Sequence, residues 1–326
     1  MKIVLPGGTG QVGRMLVRHF LREGHDCVVL SRSGHGCNGA RGVQWDGRNP
    51  GNWTAELDGA DVVINLAGRS VDCRYTGRNL REMMDSRVDS VRAVGAAIAC
   101  AARSPRLWLQ ASTATIYAHR FDAANDEATG LMGGTEPGVP EAWRRSIEIA
   151  QAWERELVDA TTPNTRKTAL RSAMIMSPDR GGVFDVLVKL CRFGLGRHGD
   201  GEQYVSWIHE DDFVAAVDFL IARADLDGVF NLAAPGPLPN RDFIGGIHAA
   251  LGRKIALPLP AWALELGAVL MRTETELILK SRRVVPARLN AAGFRFRHAV
   301  WGEAAGDLVG RLQGGNEFVK NNPTPP

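Results

Sequence analysis

Lysine and tyrosine are scarce in this chain of 326 residues: six Lys stand among 39 basic side chains, and there are three Tyr. No Lys lies between Lys2 and Lys167, and the residues four places after Tyr75, Tyr117 and Tyr204 are Asn79, Phe121 and Ile208. A Tyr-x-x-x-Lys pair is therefore impossible. The five cysteines, Cys27, Cys37, Cys73, Cys100 and Cys191, are odd in number and lack C-x-x-C spacing. That argues against a disulfide framework or a zinc ribbon and for reduced thiols, with no metal expected. No apolar run approaches the ~18 residues of a membrane span, and the start carries neither a charged n-region nor a small-residue cleavage site. These absences predict a cytoplasmic chain without a membrane partner. The signatures H-E-x-x-H, G-x-S-x-G and G-x-x-x-x-G-K-[ST] are missing, so zincin, α/β-hydrolase and P-loop chemistry lack support. A net charge of +3 spread over interspersed Arg, Asp and Glu gives no field for a nucleic-acid backbone.

What is present is ordered punctuation. KIVLPGGTGQVGRMLVRHFLREGHDCVVLSRS reads as strand, glycine turn, helix and strand, with Val12, Leu16, Phe20 and Leu21 on one helical face and Gly24 as the stop. Further strand-like runs follow at Val43 to Trp45, Asp61 to Gly68, Arg106 to Ser112, Lys167 to Ile175 and Gly228 to Ala234. Strands alternating with helices predict a Rossmann-type, doubly wound parallel α/β sheet, which binds ligands at the carboxyl ends of its strands. Residues 1–178 are read as this dinucleotide-binding domain, with 212–234 rejoining it. Residues 179–211 and 235–313 form a smaller substrate lobe, and the polar, proline-rich 314–326 is expected to be a disordered tail.

Gly7, Gly10 and Gly13 stand in G-x-x-G-x-x-G spacing between a strand and a helix. The glycines let backbone N–H groups of Thr9, Gln11 and Val12 approach a pyrophosphate at a helix N-terminus, so a dinucleotide cofactor is expected. Where an NAD site places a carboxylate, about 20 residues on, the second strand ends Leu30-Ser31-Arg32-Ser33. An Arg fork there suits a 2′-phosphate, and NADP(H) is the cofactor predicted, the alternative for Arg32 being a solvated surface charge. Asp46, after the third strand, is placed either to meet the adenine or to cap a local turn.

These residues resemble the short-chain dehydrogenase/reductase superfamily in its extended form. GGTGQVG (Gly7 to Gly13), NLAG (Asn65 to Gly68) and ASTATIYA (Ala111 to Ala118) carry the resemblance. AWERE (Ala152 to Glu156), GDGEQYVSWIHEDDF (Gly199 to Phe213) and VVPARLNAAG (Val284 to Gly293) are similar to a narrower, atypical "epimerase family" with its own short C-terminal domain of unknown function. The resemblance implies that Leu66, Ala67 and Gly68 lie along the cofactor's ribose and phosphate side. It implies that Ser112 and Thr113 sit where the superfamily keeps its catalytic hydroxyl, and that the backbone of Ser172 to Met174 faces the nicotinamide. The superfamily's proton relay needs a Tyr and a Lys four residues later on one helical face. Anchored on Glu154, the equivalent helix places Ser146 and Ala150 at those positions, and neither can do that work.

Other proton donors are then candidates. Tyr117 follows the hydroxyl-bearing strand, as a donor or as a ring packed over the pocket. His209 is either a general acid or part of a packed helix entrance capped by Asp211 or Asp212. Asp126 and Glu127 are loop carboxylates. Arg69, Arg74 and Arg87 are candidates for an anionic substrate, Arg87 alternatively being a salt-bridged or solvated helix residue. Asn65 is a strand-end hydrogen-bonder, and Gly194 to Gln203 is a mobile substrate loop or a plain connector. The apolar run Leu264 to Met271 is lobe packing or the face of a homodimer. Two functions follow: an NADP(H)-dependent oxidoreductase or epimerase-like enzyme on a small-molecule substrate, or an NADP(H)-binding regulatory or assembly protein that has lost catalysis.

Overall fold

The structure, a computed structural model, describes residues 1–253, 257–259 and 276–321. The Leu264 to Met271 run lies outside them. Seven parallel strands form the central sheet in the order β11-β6-β5-β4-β1-β2-β3: β1 (Lys2–Pro6), β2 (Asp26–Ser31), β3 (Arg41–Gln44), β4 (Val62–Asn65), β5 (Leu107–Thr113), β6 (Arg166–Ser172) and β11 (Gly228–Leu232). The chain leaves β1 in one direction and β4 lies on its other side, so the order reverses between β1 and β4 and opens a crevice at their carboxyl ends.

Successive strand residues point to opposite faces, and here both faces are apolar. Ile3, Leu5, Val29, Ile64 and Leu109 join Leu16, Val17 and Phe20 of α1 (Gln11–Arg22) and Phe213, Val217 and Leu220 of α5 (Glu210–Ala222) in one core layer. Val4, Val28, Val63 and Trp108 face the other layer, against α2 (Gly77–Cys100) and α3 (Glu141–Asp159). In α1 the buried face is Gly13, Met15, Leu16, Val17 and Phe20, so Val12 and Leu21 of the expected stripe are only partly covered.

The apolar run Lys167 to Ile175 is two strands. β6 ends at Ser172, and β7 (Met174–Met176) leaves the main sheet to pair with β10 (Trp207–His209). The Ala173 N–H bonds to Leu232 O at 3.0 Å and the Met174 N–H to Ser206 O at 3.3 Å, which fixes the departure. A separate lobe core gathers Phe184 of α4 (Val183–Arg192), Trp207, Phe243 of α6 (Asn240–Ala250) and Trp301. Trp301 stacks on Phe243 at 4.1 Å and donates its indole N–H to Phe243 O at 2.7 Å.

The glycine-rich connector is built rather than loose. β8 (Leu195–His198) pairs with Leu257–Leu259, and tight turns at Gly199 and Gly201 lead to β9 (Tyr204–Val205), which pairs with Leu238–Pro239. The C-terminal helix Trp301–Asn321 continues through residues 314–321, where composition predicts no regular structure. Among the described residues, no helix is long and apolar enough to cross a membrane.

Candidate functional site

The glycine loop is shaped by three different demands. Gly7 has φ +75°, and a Cβ there would stand 2.6 Å from the Ala67 Cα, so the loop and the end of β4 touch only because no side chain intervenes. At Gly13 a Cβ would fall 2.2 Å from Gly8 O, so this glycine lets α1 settle on the loop. Gly10 differs: it is exposed, its φ is −71°, and a Cβ would find only Gly7 O at 4.0 Å. Among the described residues nothing demands a glycine at that position, and the space beside it is open.

Gly10 is also the N-cap of α1, without a side-chain cap and with no acid in the first turn. The first intrahelical bond is Arg14 N–H to Gly10 O at 2.9 Å, which leaves the N–H groups before it for another acceptor. Gln11 adds a buried Nε2 with no acceptor among the described residues, pressed against Gly182. An uncapped helix start, an orphaned amide and open space at Gly10 together fit a dinucleotide pyrophosphate. Thr9 and Gly10 are exposed, and Gln11 and Val12 half-buried.

Arg32 follows β2 directly, is exposed, and has no carboxylate partner among the described residues. The turn beside it is held by Ser31 Oγ donating to His35 O at 2.8 Å and His35 N–H donating to Ser33 Oγ at 3.3 Å. Asp46 has the capping role: its carboxylate accepts from Arg48 N–H at 3.0 Å, Asn49 N–H at 2.9 Å and Asn49 Nδ2 at 2.5 Å, bonds that hold its pKa below the usual range. Both oxygens take part in the turn, and the exposed carboxylate keeps acceptor capacity beyond these three bonds.

Leu66, Ala67 and Gly68 line the end of β4. Asn65 fixes them from below, accepting from Ala67 N–H at 3.1 Å and donating to Gln110 Oε1 at 2.9 Å. On the neighbouring strands Thr113 pairs with Ser172, and both are half-buried at the crevice. Thr113 Oγ1 accepts from Thr115 N–H at 3.1 Å, and its own proton has no acceptor among the described residues. Met174, half-buried, begins β7.

Two proposed proton donors are committed elsewhere. Tyr117 is 2% exposed, donates its phenol to Asn231 Oδ1 at 3.0 Å and accepts from Arg171 Nη1 at 2.8 Å. Burial pushes that phenol's pKa up in spite of Arg171. Arg171 in turn clasps Glu154 at 2.8 and 2.7 Å, and Glu154 accepts the Ser112 hydroxyl at 2.5 Å. Burial opposes the charge of Arg171, and the Glu154 bonds outweigh it. The chain Ser112–Glu154–Arg171–Tyr117–Asn231 ties β5, α3, β6 and β11 together beneath the crevice. Tyr117 is therefore a packed ring and not an available acid.

His209 is fully buried and is itself the cap of α5, its Nδ1 accepting from Asp211 N–H at 3.1 Å; neither Asp211 nor Asp212 caps that helix. With Nδ1 accepting, Nε2 donates to Asp307 at 3.1 Å, and the ring stacks on His298 at 3.7 Å. Burial lowers its pKa to about 4, so it is neutral at pH 7. The remaining carboxylates are structural: Asp126 caps its own turn, while Glu127 accepts from Asn231 N–H at 2.8 Å and Arg288 N–H at 3.3 Å. Arg69 pairs with Glu82.

Residues that the sequence did not single out gather around Ser146, the position to which the resemblance assigns the relay's tyrosine. Ser146 donates to Glu276 Oε1 at 2.6 Å, and Lys280 Nζ lies 3.6 Å from the same carboxylate and 2.7 Å from Thr115 O. Glu276 and Lys280 are fully buried, Glu276 Oε2 has no hydrogen-bond partner among the described residues, and burial pushes Lys280 down to about 8. Arg282, its pKa also lowered by burial, donates to Thr115 Oγ1 at 3.1 Å. Their only signal in the sequence is that Lys280 is one of so few lysines.

A model of the NAD dependent epimerase/dehydratase family matches residues 3–233, and a domain of unknown function matches residues 259–308. An epimerase family protein of Mycobacterium leprae is 29% identical over 308 residues, covering 93% of this chain and 94% of the relative. The Bos taurus epimerase family protein SDR39U1 is 27% identical over 316 residues, covering 95% and 100%. The crystal structure of human SDR39U1 with NADPH superposes with a TM-score of 0.82 at 26% identity, over 96% of this chain and 100% of the human one.

Proposed function

The chain belongs to the NAD dependent epimerase/dehydratase family, and from that premise we propose that it is an NADP(H)-binding oxidoreductase or epimerase-like enzyme acting on a small molecule. The observation that carries the reading is Gly10: a glycine the protein does not need, at an uncapped helix start beside an unpartnered Gln11 amide. Gly7, Thr9, Gly10, Gln11, Val12 and Gly13 would hold the pyrophosphate, and Arg32 the 2′-phosphate. Leu66, Ala67 and Gly68 would lie along the ribose, and Ser172 and Met174 beside the nicotinamide. The human relative's complex with NADPH supports the choice of dinucleotide. When bound, such a cofactor gives or takes a hydride at its nicotinamide.

The protein's own part is to orient a substrate oxygen and manage its proton. Thr113 is the hydroxyl at the crevice with a proton free to donate, and Ser112, bonded to Glu154, stiffens the strand that carries it. A hydroxyl of ordinary acidity needs a second group or water to complete the transfer. A cytoplasmic setting suits the five unpaired thiols. The commitment of Tyr117 to Asn231 and Arg171 favours a second reading, an NADP(H)-binding regulatory or assembly protein without turnover. Incubation with NADPH and a broad panel of carbonyl compounds separates the two. Substrate-dependent NADPH oxidation that falls in Thr113→Val supports the enzyme; tight NADPH binding with no turnover across the panel favours the silent protein.

A further inference from the structure

Arg87, on α2, carries a guanidinium with no carboxylate partner among the described residues. It lies over the Trp153 ring at 5.0 Å and gives one hydrogen bond, Nη1 to Met83 O at 3.1 Å. Burial pushes its pKa down to about 10, and the groups that oppose this are the Tyr75 phenol and the Cys73 thiol, neither of them a carboxylate. Arg87 is half-buried, and a guanidinium partly withdrawn from water without an anion is costly to keep. Beneath it, the buried Trp153 indole N–H also lacks an acceptor among the described residues.

Its location says what it waits for. A Cβ at Gly68 would stand 3.3 Å from Arg87 Cγ and 3.4 Å from Cζ, so the guanidinium lies along exposed backbone at the end of β4. The preceding residue, Ala67, is the one against which Gly7 closes. Arg87 and the free N–H groups of α1 thus flank one crevice from opposite sides.

We propose that Arg87 is the anion-binding cation of this crevice, and that its ligand is a phosphate group, supplied by the pyrophosphate of the bound dinucleotide rather than by a substrate. This rests on the dinucleotide reading above. Arg32 and Arg87 then have separable tasks: Arg32 distinguishes NADP(H) from NAD(H), whereas Arg87 contributes equally to both.

The test is titration of wild type, R87Q and R87K with NADPH, NADH and inorganic pyrophosphate, with melting temperatures of the free proteins alongside. R87Q should bind both dinucleotides at least about tenfold more weakly with the NADPH-to-NADH ratio unchanged, as for loss of a charge-assisted hydrogen bond. R87K should recover part of the loss. Because the free protein carries this charge unpaired, R87Q should melt no lower than wild type, whereas a merely structural arginine would leave a less stable protein. Wild-type affinity of R87Q for NADPH and pyrophosphate would overturn the proposal and move the ligand to the substrate. A drop in melting temperature without loss of affinity would also overturn it. If wild type binds neither dinucleotide, the cofactor reading fails by itself, and protection of wild type but not R87Q by pyrophosphate still decides for or against Arg87.

Discussion

The Ser146 hydroxyl donates to Glu276 Oε1 at 2.6 Å, joining α3 to the C-terminal segment across 130 residues of sequence. This bond holds the C-terminal segment against the helix. Glu276 already has one unpartnered oxygen, and Lys280 has no other carboxylate at salt-bridge distance among the described residues. Ser146→Ala should therefore cost about 1.5–3 kcal/mol in urea unfolding. Glu276→Ala, which strands a buried ammonium, should cost about 3–5 kcal/mol. Equal, negligible losses would mean that the pair is solvated.

Tyr117→Phe removes the phenol that satisfies Asn231 Oδ1 and accepts from Arg171. Stability should fall by about 1–3 kcal/mol while NADPH affinity is unchanged. A variant of wild-type stability that loses all turnover would instead make Tyr117 the acid.

His209 gives a pH signature. Its pKa falls from 6.5 in the unfolded chain to about 4 when buried. The unfolded state therefore binds more protons between those values, and folding stability is full above pH 6.5 and declines as pH falls towards 4, by about 3 kcal/mol. His209→Asn keeps a capping side chain. Its stability should vary less than that of wild type over the same window in paired urea titrations, and parallel curves would remove His209 as the source.

The glycines should separate folding from binding. Gly7→Ala faces both a positive φ and a 2.6 Å approach to Ala67, and should lower the melting temperature sharply. Gly10→Val places its Cβ in open space, so it should lose only about 1 kcal/mol for the poorer N-cap yet bind neither dinucleotide. Undiminished binding by Gly10→Val would remove the pyrophosphate from the glycine loop.

The main sheet was legible because its signals are local. Ile3 and Leu5 against Val4, and Leu107 and Leu109 against Trp108, are apolar to both faces, as buried parallel strands must be. The glycine spacing marked the crevice for the same reason. The break between β6 and β7 was not legible, since Arg166–Ser172 and Met174–Met176 are equally strand-like and the departure is set by bonds to Leu232 and Ser206. Glu276 and Lys280 were not singled out, because nothing local marks them and only tertiary packing buries both. Tyr117 and His209 looked chemical by type, but chemistry depends on a free lone pair or proton, and their partners lie 114 and 98 residues away.

The central claim is that a dinucleotide carrying a 2′-phosphate binds with its phosphate against Arg32. Isothermal titration of wild type and Arg32→Gln with NADPH and NADH tests it most directly. The account predicts tighter binding of NADPH by wild type, and loss of about 1.5–3 kcal/mol in Arg32→Gln for NADPH alone. Equal affinity of wild type for the two dinucleotides, or an equal loss for both in the variant, would contradict it.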